Sequence, residues 1–383
     1  MAAVKFAAKY DTIDGCFPQE LIHKIFLQLP VKSLVNVKLV CKSWNSLISS
    51  LDFVKSYTRT SNNRPLTLLY DKNLTLLYSL SHRESDNLNP TVLQVNPYFR
   101  NDIEVRIDCE LIGSCDGLIC TYSQLEERIY ILNPLTKEIK GISTPYPINP
   151  FKLESVSWFG FVPSINDYMI WLVFGTPILT LKIHVYSIRD NKWRELDTSN
   201  AFGLIDMKKD IFWGKNAVIK NESLHCWLGN RENNYMVKYD LIQDIIEVLP
   251  INLNDNQDFR YNNHPSIGIL QDSSLCICKI YNLSNNYNMW VMDAWKLDKY
   301  SKSDSWNKLS SLDLGLPQSP VVSLLGFTSN GGILVTSAEK ELVLVDPNKD
   351  PPVLVRLRTI VDDSTLFDLL DYSESLVSPF SLP

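Results

Sequence analysis

Residues 17–51 read FPQELIHKIFLQLPVKSLVNVKLVCKSWNSLISSL, and their period sets them apart from everything that follows. Apolar residues recur at helical spacing, Leu21, Ile22, Ile25, Phe26 and Leu29 in one segment and Leu34, Val37, Val40 and Cys41 in the next. Pro18 suits a first helical turn, where its missing N–H has no partner to lose. Glu20 lies near the positive end of the same helix. Pro30 stops that helix and forces a bend, Lys32-Ser33 open a second, and CKSWNSLI continues as a third through Cys41, Trp44, Leu47 and Ile48. Three short helices in about 35 residues cannot bury a core alone. The apolar residues left over must face something else.

Outside this stretch the chain has ordinary globular composition: 383 residues, 45% hydrophobic and 21% charged, too many for one small domain. Its eight cysteines form no CxxC pair and have no histidine at ligand spacing, so they read as reduced, buried small hydrophobes. Met1 to Tyr10 is too short and too charged for a secretory signal, and the expected compartment is cytosol or nucleus. The longest apolar run, Tyr168 to Ile183, has 16 residues, short of the roughly 18 that span a bilayer. Gly175-Thr176-Pro177 breaks it into two buried strands, so no membrane contact is expected. There is no Gly-rich phosphate loop and no basic run, and the acidic pI of about 5.5 argues against nucleic acid as a partner.

Beyond Arg64 the helical period gives way to short strands separated by Asn, Asp, Gly and Pro. Five segments share one form, a β-rich run, a polar turn and a second run: Ile129 to Ile142, Ile183 to Leu196, Tyr235 to Pro250, Met292 to Leu309 and Glu341 to Leu357. Aligned on Asn133, Ser187, Asp240, Leu297 and Asp346, they are spaced by 54, 53, 57 and 49 residues. A period near 50 with several strands per unit predicts propeller blades of kelch type. Leu66 to Leu80 supplies part of a divergent first unit, so six blades are expected, with seven as the alternative. An open sheet edge would invite aggregation, so a strand near Leu66 is expected to share a blade with the last strands near Leu376.

The residues now carry two resemblances. FPQELIHKIFLQLPVKSLVNVKLVCKSWNSLI resembles an F-box, in the plant form with LPVKSL in the middle and VCKSW at the end. The resemblance implies a module that docks on a Skp1-type adaptor and, through it, on a cullin-RING ubiquitin ligase. It assigns fold and adaptor contact to Phe17, Pro18, Leu21, Ile25, Leu29, Pro30, Leu34, Val40, Cys41 and Trp44; Phe17 stands where the family usually has Leu. Between Gly15 and Leu51 there are four Lys and one Glu, and a basic face would speed encounter with an acidic adaptor. Ile112 to Tyr122 (IGSCDGLICTY) and Asp371 to Pro379 (DYSESLVSP) resemble the F-box-associated domain of plant F-box/kelch-like proteins, a group that includes the S-locus F-box proteins. Tyr186 and Trp193 resemble the outer-strand aromatic pair of a kelch blade, but the Gly-Gly doublet of kelch repeats occurs once, at Gly331-Gly332, and no Trp-Asp dipeptide argues for WD40 blades.

The expected fold is therefore α+β and multidomain, with a tail over 1–14, a three-helix F-box over 15–51, a connector over 52–64 in which Asp52-Phe53-Val54 packs back on the third helix, and an all-β propeller over 65–383. The resemblance implies a non-catalytic substrate receptor of a ubiquitin ligase, with an unknown protein target, a basic pistil ribonuclease if the chain is S-locus-like. A propeller enzyme or a non-ligase scaffold are the alternatives. Gly113-Ser114-Cys115-Asp116-Gly117 has the form of a nucleophile elbow with Cys in place of Ser, but such an elbow needs a helix after it and strand residues follow, so Asp116-Gly117 reads as a hairpin turn. His23, His82, His184, His225 and His264 are scattered, and Cys276 and Cys278 face one side of a strand, so neither metal nor cofactor is expected. Loops at Tyr146 to Lys152, Asn252 to His264 and Asn282 to Tyr287 mix aromatics with Asn, Asp and Pro, as adaptable binding loops do.

Overall fold

The computed structural model describes residues 18–60, 66–71, 77–80, 92–95, 109–123, 126–144, 156–175, 181–199, 201–202, 205, 212–229, 233–253, 264–282, 289–298, 305–316, 322–328, 330–337, 341–349, 351–357 and 367–382. The tail at 1–14, Phe17, the polar connector at 61–65 and nearly all of the three loops singled out above lie outside these residues.

Four helices open the described chain: α1 (Gln19–Leu27), α2 (Val31–Val37), α3 (Lys42–Ser49) and α4 (Leu51–Thr60). Pro18 and Pro30 precede α1 and α2 in extended conformation, with ψ of 135° and 147°, so each turns the chain before a helix begins. The fourth helix occupies most of the stretch expected as connector. Ser50 starts it: its Oγ accepts from the Phe53 N–H at 3.3 Å and donates to the Leu47 carbonyl at 2.7 Å. Phe53 and Tyr57, one turn apart, are buried and stacked at 6.1 Å. Helical spacing thus carries on past Leu51.

Every strand thereafter belongs to a four-stranded antiparallel sheet. Five sheets are built from consecutive strands: β4 (Cys109–Cys115), β5 (Leu118–Ser123), β6 (Arg128–Asn133) and β7 (Glu138–Ser143); β8 (Ser157–Val162), β9 (Asp167–Gly175), β10 (Leu181–Ser187) and β11 (Lys192–Leu196); β12 (Phe212–Lys220), β13 (Ser223–Gly229), β14 (Asn234–Asp240) and β15 (Ile245–Ile251); β16 (Ser266–Ile269), β17 (Leu275–Asn282), β18 (Trp290–Leu297) and β19 (Trp306–Asp313); and β20 (Val322–Phe327), β21 (Ile333–Ser337), β22 (Leu342–Asp346) and β23 (Val353–Leu357). The remaining sheet is a composite of both ends of the β body. In it β24 (Phe367–Tyr372) pairs with β1 (Leu66–Asp71), followed by β2 (Leu77–Leu80) and β3 (Val92–Val95), with Leu66 opposite Tyr372 and Asp71 opposite Phe367. The sequence count of six units therefore resolves into five blades of continuous sequence and one sheet that no single stretch encodes. That last sheet closes through Phe367–Tyr372; Leu376, expected near the closing strand, lies beyond it.

The five turn anchors fall on one structural position, the last residue of the third strand in each continuous sheet: Asn133, Ser187, Asp240, Leu297 and Asp346. The polar ones cap the turn that follows. Asn133 Oδ1 accepts from the Leu135 N–H at 2.8 Å, Asp240 Oδ1 from Ile242 and Gln243 at 2.9 Å each, Asp346 Oδ1 from Asn348 at 3.0 Å and Ser187 Oγ from Asp190 at 3.0 Å. Four residues after three of the anchors, Lys137, Asn191 and Asp244 take φ of 61°, 52° and 58°, which lets the chain re-enter the fourth strand. Asp116 and Gly117 have φ of 50° and 77°, the type I′ hairpin expected from their identities.

Neighbouring sheets bury continuous cores between them. Trp171 in β9, Trp227 in β13 and Trp295 in β18 are almost wholly removed from solvent. Cys276 and Cys278 pack together in the core between β16–β19 and β20–β23. Tyr186 and Trp193 face each other across β10 and β11 at 4.9 Å. The run from Tyr168 to Ile183 supplies the paired strands β9 and β10, and no helix among the described residues is long and apolar enough to cross a membrane.

Candidate docking surface

Helix α1 is apolar on two sides. Ile22 and Phe26, four apart, are buried in the helical core, whereas Leu21 and Ile25, also four apart, remain 46% and 55% exposed. A helix with one partner needs one apolar stripe; two stripes require a second partner. In the turn after α2, Val40 is 64% and Leu39 84% exposed. Full burial of such side chains is worth roughly 1.5–3 kcal/mol each, before the cost of association.

The other family-assigned positions divide by role. Pro18 and Pro30 are exposed at the helix entries. Leu29 is half-buried, and its carbonyl accepts from the Tyr57 hydroxyl at 2.8 Å, tying α4 to the end of α1. Leu34 is wholly buried, a residue of the core and not of the open surface. Trp44, half-buried, meets Phe26 edge-on at 5.1 Å. Cys41 is half-buried, with its Sγ 3.4 Å from Ser43 Oγ. Leu39, the most open of the large apolar residues among those described, was absent from the family-assigned set. Its signal was its neighbour Val40: two apolar residues in succession between helices cannot both turn inward.

The four lysines between Gly15 and Leu51 do not form one outward basic face. Lys32 Nζ lies 2.9 Å from Glu374 of the C-terminal segment. Lys38 is half-buried; burial lowers its pKa and the Glu138 carboxylate of β7 offsets part of that. Lys24 and Lys42 are exposed. Two of the four charges thus face acidic groups on the β body. Leu376 and Leu135, also from the β body, pack into the helical core, which completes what 35 residues cannot bury alone.

Inside the ring, the inner strands β4, β8, β12, β16, β20 and β24 touch their neighbours in a closed circuit and enclose a cavity of about 630 Å³. Its polar groups serve the walls. Lys215 Nζ donates to the Leu324 carbonyl at 2.9 Å, Asn216 Nδ2 to the Ile267 carbonyl at 2.7 Å, and Ser114 Oγ to the Asp371 carbonyl. Cys115, in the elbow-like motif, is followed by the hairpin and β5; burial and the adjacent Asp116 push its thiol well above the ordinary range, opposite to an activated nucleophile. His225 is buried and its pKa is lowered to about 4 by burial first and Lys238 second. Among the described residues no cluster of three or more His, Cys, Asp or Glu could hold a metal ion.

The two stretches that resemble the F-box-associated domain meet in space. Ser114 and Asp116 of the first contact Asp371 and Ser375 of the second, Ser375 Oγ donating to the Asp116 carbonyl.

Two family models agree with this architecture. The family model described as F-box domain matches residues 15–56, and the one described as F-box associated beta propeller domain matches residues 67–380. An F-box/kelch-repeat protein of Arabidopsis thaliana is 25% identical over 307 residues, 77% of this chain and 79% of that protein. The F-box protein CPR1 of the same plant is 25% identical over 355 residues, 86% of this chain and 79% of that protein. Among solved structures, a chain of a nidogen/laminin complex aligns with 82% of this chain and 100% of its own length, at 11% identity and a TM-score of 0.49. With a helical F-box at its start and a matching β body over most of its length, the chain belongs to the F-box proteins that carry an F-box associated β-propeller domain.

Proposed function

We propose that this protein is the substrate receptor of a Skp1-cullin-F-box ubiquitin ligase. The observation that carries the reading is the second apolar stripe of α1, Leu21 and Ile25, left open together with Leu39 and Val40 after α2 on a module whose core Leu376 and Leu135 of the β body already complete. On this reading the stripe docks on a Skp1-type adaptor, and Pro18 and Pro30 border it. Leu29, Leu34, Cys41 and Trp44 hold the helices in place behind it, and Phe17 extends the contact. The receptor does no covalent chemistry; it raises the effective concentration of target lysines near the charged conjugating enzyme. The compartment is cytosol, nucleus or both.

We infer further that the composite sheet acts as a sixth blade, and that the target docks on the end of the propeller opposite the F-box. Support comes from the topology. The hairpin at Asp116-Gly117 and the turn holding Leu135 lie on the F-box side, and in an antiparallel sheet the connections from second to third strand, and from fourth strand to the next sheet, leave at the other end. The aromatic, Asn-rich loops all belong to that second set. Net charge of −6 favours a basic target, so a pistil ribonuclease is the first candidate to try.

The test is co-purification of a Skp1-type adaptor and a cullin with the full chain, beside a chain lacking residues 1–63, followed by ubiquitin transfer in the reconstituted complex. Retention by the full chain alone supports the receptor reading. A folded full chain that captures no adaptor overturns it, and capture of adaptor without cullin converts it to a scaffold.

A further inference from the structure

We propose that residues 373–382, which follow β24, form a strap that fixes the F-box at one angle on the propeller, and that Asn133 is its buckle. The consequence for catalysis, that this angle sets where a bound target is presented for ubiquitin transfer, rests on the receptor reading above; the strap itself does not.

Successive residues of the segment enter opposite cores. Leu376, 4% exposed, lies among Ile22, Phe26, Leu34 and Phe53 of the helices. Val377 packs against the core that β4–β7 share with β8–β11, as does Leu382 farther on. Asn133, 1% exposed, holds the chain on both sides of Leu376: its Nδ2 donates to the Ser375 carbonyl at 3.0 Å and to the Val377 carbonyl at 2.8 Å. The next contacts work the same way. Ser375 Oγ accepts from the Val377 N–H at 3.2 Å while donating to the Asp116 carbonyl, and Lys32 reaches Glu374 at 2.9 Å. Gly117 lies so close to Ser373 and Ser375 that a Cβ there would overlap both.

The identity of residue 133 points to this role. All five third strands end on an anchor, and turn capping needs only an acceptor, which Asp240 and Asp346 supply. Asn133 alone among the five carries an amide. Its Oδ1 caps the turn to Leu135 and Thr136 while its Nδ2 holds the strap, so both ends of the amide are used. The blade with the donor is the blade that bears the strap.

This predicts that Asn133→Asp keeps its turn but loses the strap, because a carboxylate facing two carbonyls repels them. The experiment uses the full chain with spin labels installed through unnatural amino acids at Ser46 and Lys192, both exposed. The wild type is expected to give one narrow distance distribution. Asn133→Asp and Leu376→Ser are each expected to broaden it at least twofold, with adaptor capture within threefold of wild type and ubiquitin transfer reduced tenfold or more. Should either variant fail to fold, Lys32→Glu supplies a surface perturbation: it broadens the distribution, and Glu374→Lys added to it restores the narrow one. Unchanged distributions in every folded variant overturn the strap. Broad distributions with undiminished transfer overturn its positioning role. A wild type that captures no adaptor overturns the receptor reading, and the distance measurement stands apart from it.

Discussion

The F-box and the propeller use apolar side chains in opposite ways. In β5 and β13 every residue is buried. The helical module buries Ile22, Phe26, Leu34, Ile48, Phe53 and Tyr57 with Leu376 from the β body, yet leaves Leu21, Ile25, Leu39 and Val40 open. A closed ring buries most of its hydrophobic surface because each sheet has a neighbour on either side, although Ile242, Ile245, Met289, Leu309, Val353 and Phe380 stay exposed. A short helical hairpin cannot, and what it leaves over is available to another protein.

The sharpest way to break this comparison is to truncate one residue from each region. Trp171→Ala should lower stability by about 3–5 kcal/mol, since it removes a fully buried ring from the core between two sheets. Leu39→Ala, at 84% exposure, should change stability by no more than about 0.5 kcal/mol. Urea titrations of the two variants check both; equal losses would mean that the open residues are part of the fold.

A pH titration probes the closed side. His225 is buried with its pKa lowered to about 4, whereas an unfolded histidine titrates near 6.5. The unfolded chain therefore binds the extra proton between these values, so this contribution is fully present above about pH 6.5 and is lost as pH falls toward 4. Its size is up to about 3 kcal/mol. Melting temperatures of the wild type should fall faster than those of His225→Gln over that window, and parallel curves would remove His225 as a cause.

At the seam between the regions, Gly117→Ala should destabilise by about 1–3 kcal/mol, because φ of 77° and the nearby Ser373 and Ser375 both oppose a Cβ. The smallest effect is expected from Lys32→Ala. The ion pair with Glu374 is two-thirds exposed on the lysine side, and its loss should cost less than about 1 kcal/mol. Thermal melts rank the two, and a larger loss from Lys32→Ala would put the seam in the charges and not in the packing.

Much of this organisation was legible in the sequence. Anchors spaced near 50 residues marked the third-strand ends because four of the five, Asn133, Ser187, Asp240 and Asp346, cap the turn at the same place, and the Asp116-Gly117 hairpin followed from the φ such a turn requires. Helical period found α1 to α3. It stopped short at α4, where Asp52 and the polar residues near Thr60 masked the spacing of Phe53 and Tyr57. Periodicity places a residue on a face but says nothing of what covers that face, so Leu34 in the core and Leu21 in the open carried the same signal. The lysines were misleading for a related reason: their sum was positive, but Glu374 and Glu138, which meet Lys32 and Lys38, lie 342 and 100 residues away along the chain. The entry of Leu376 into the helical core had no local signal at all, since it depends on how the ring closes.

The most direct test of the account is adaptor binding by the full chain carrying Leu21→Asp and Ile25→Asp, with circular dichroism and thermal melting recorded on the same sample. Adaptor capture is expected to fall by a hundredfold or more with the fold and melting temperature preserved, because both side chains face away from the core. Undiminished capture by the folded double variant would contradict it.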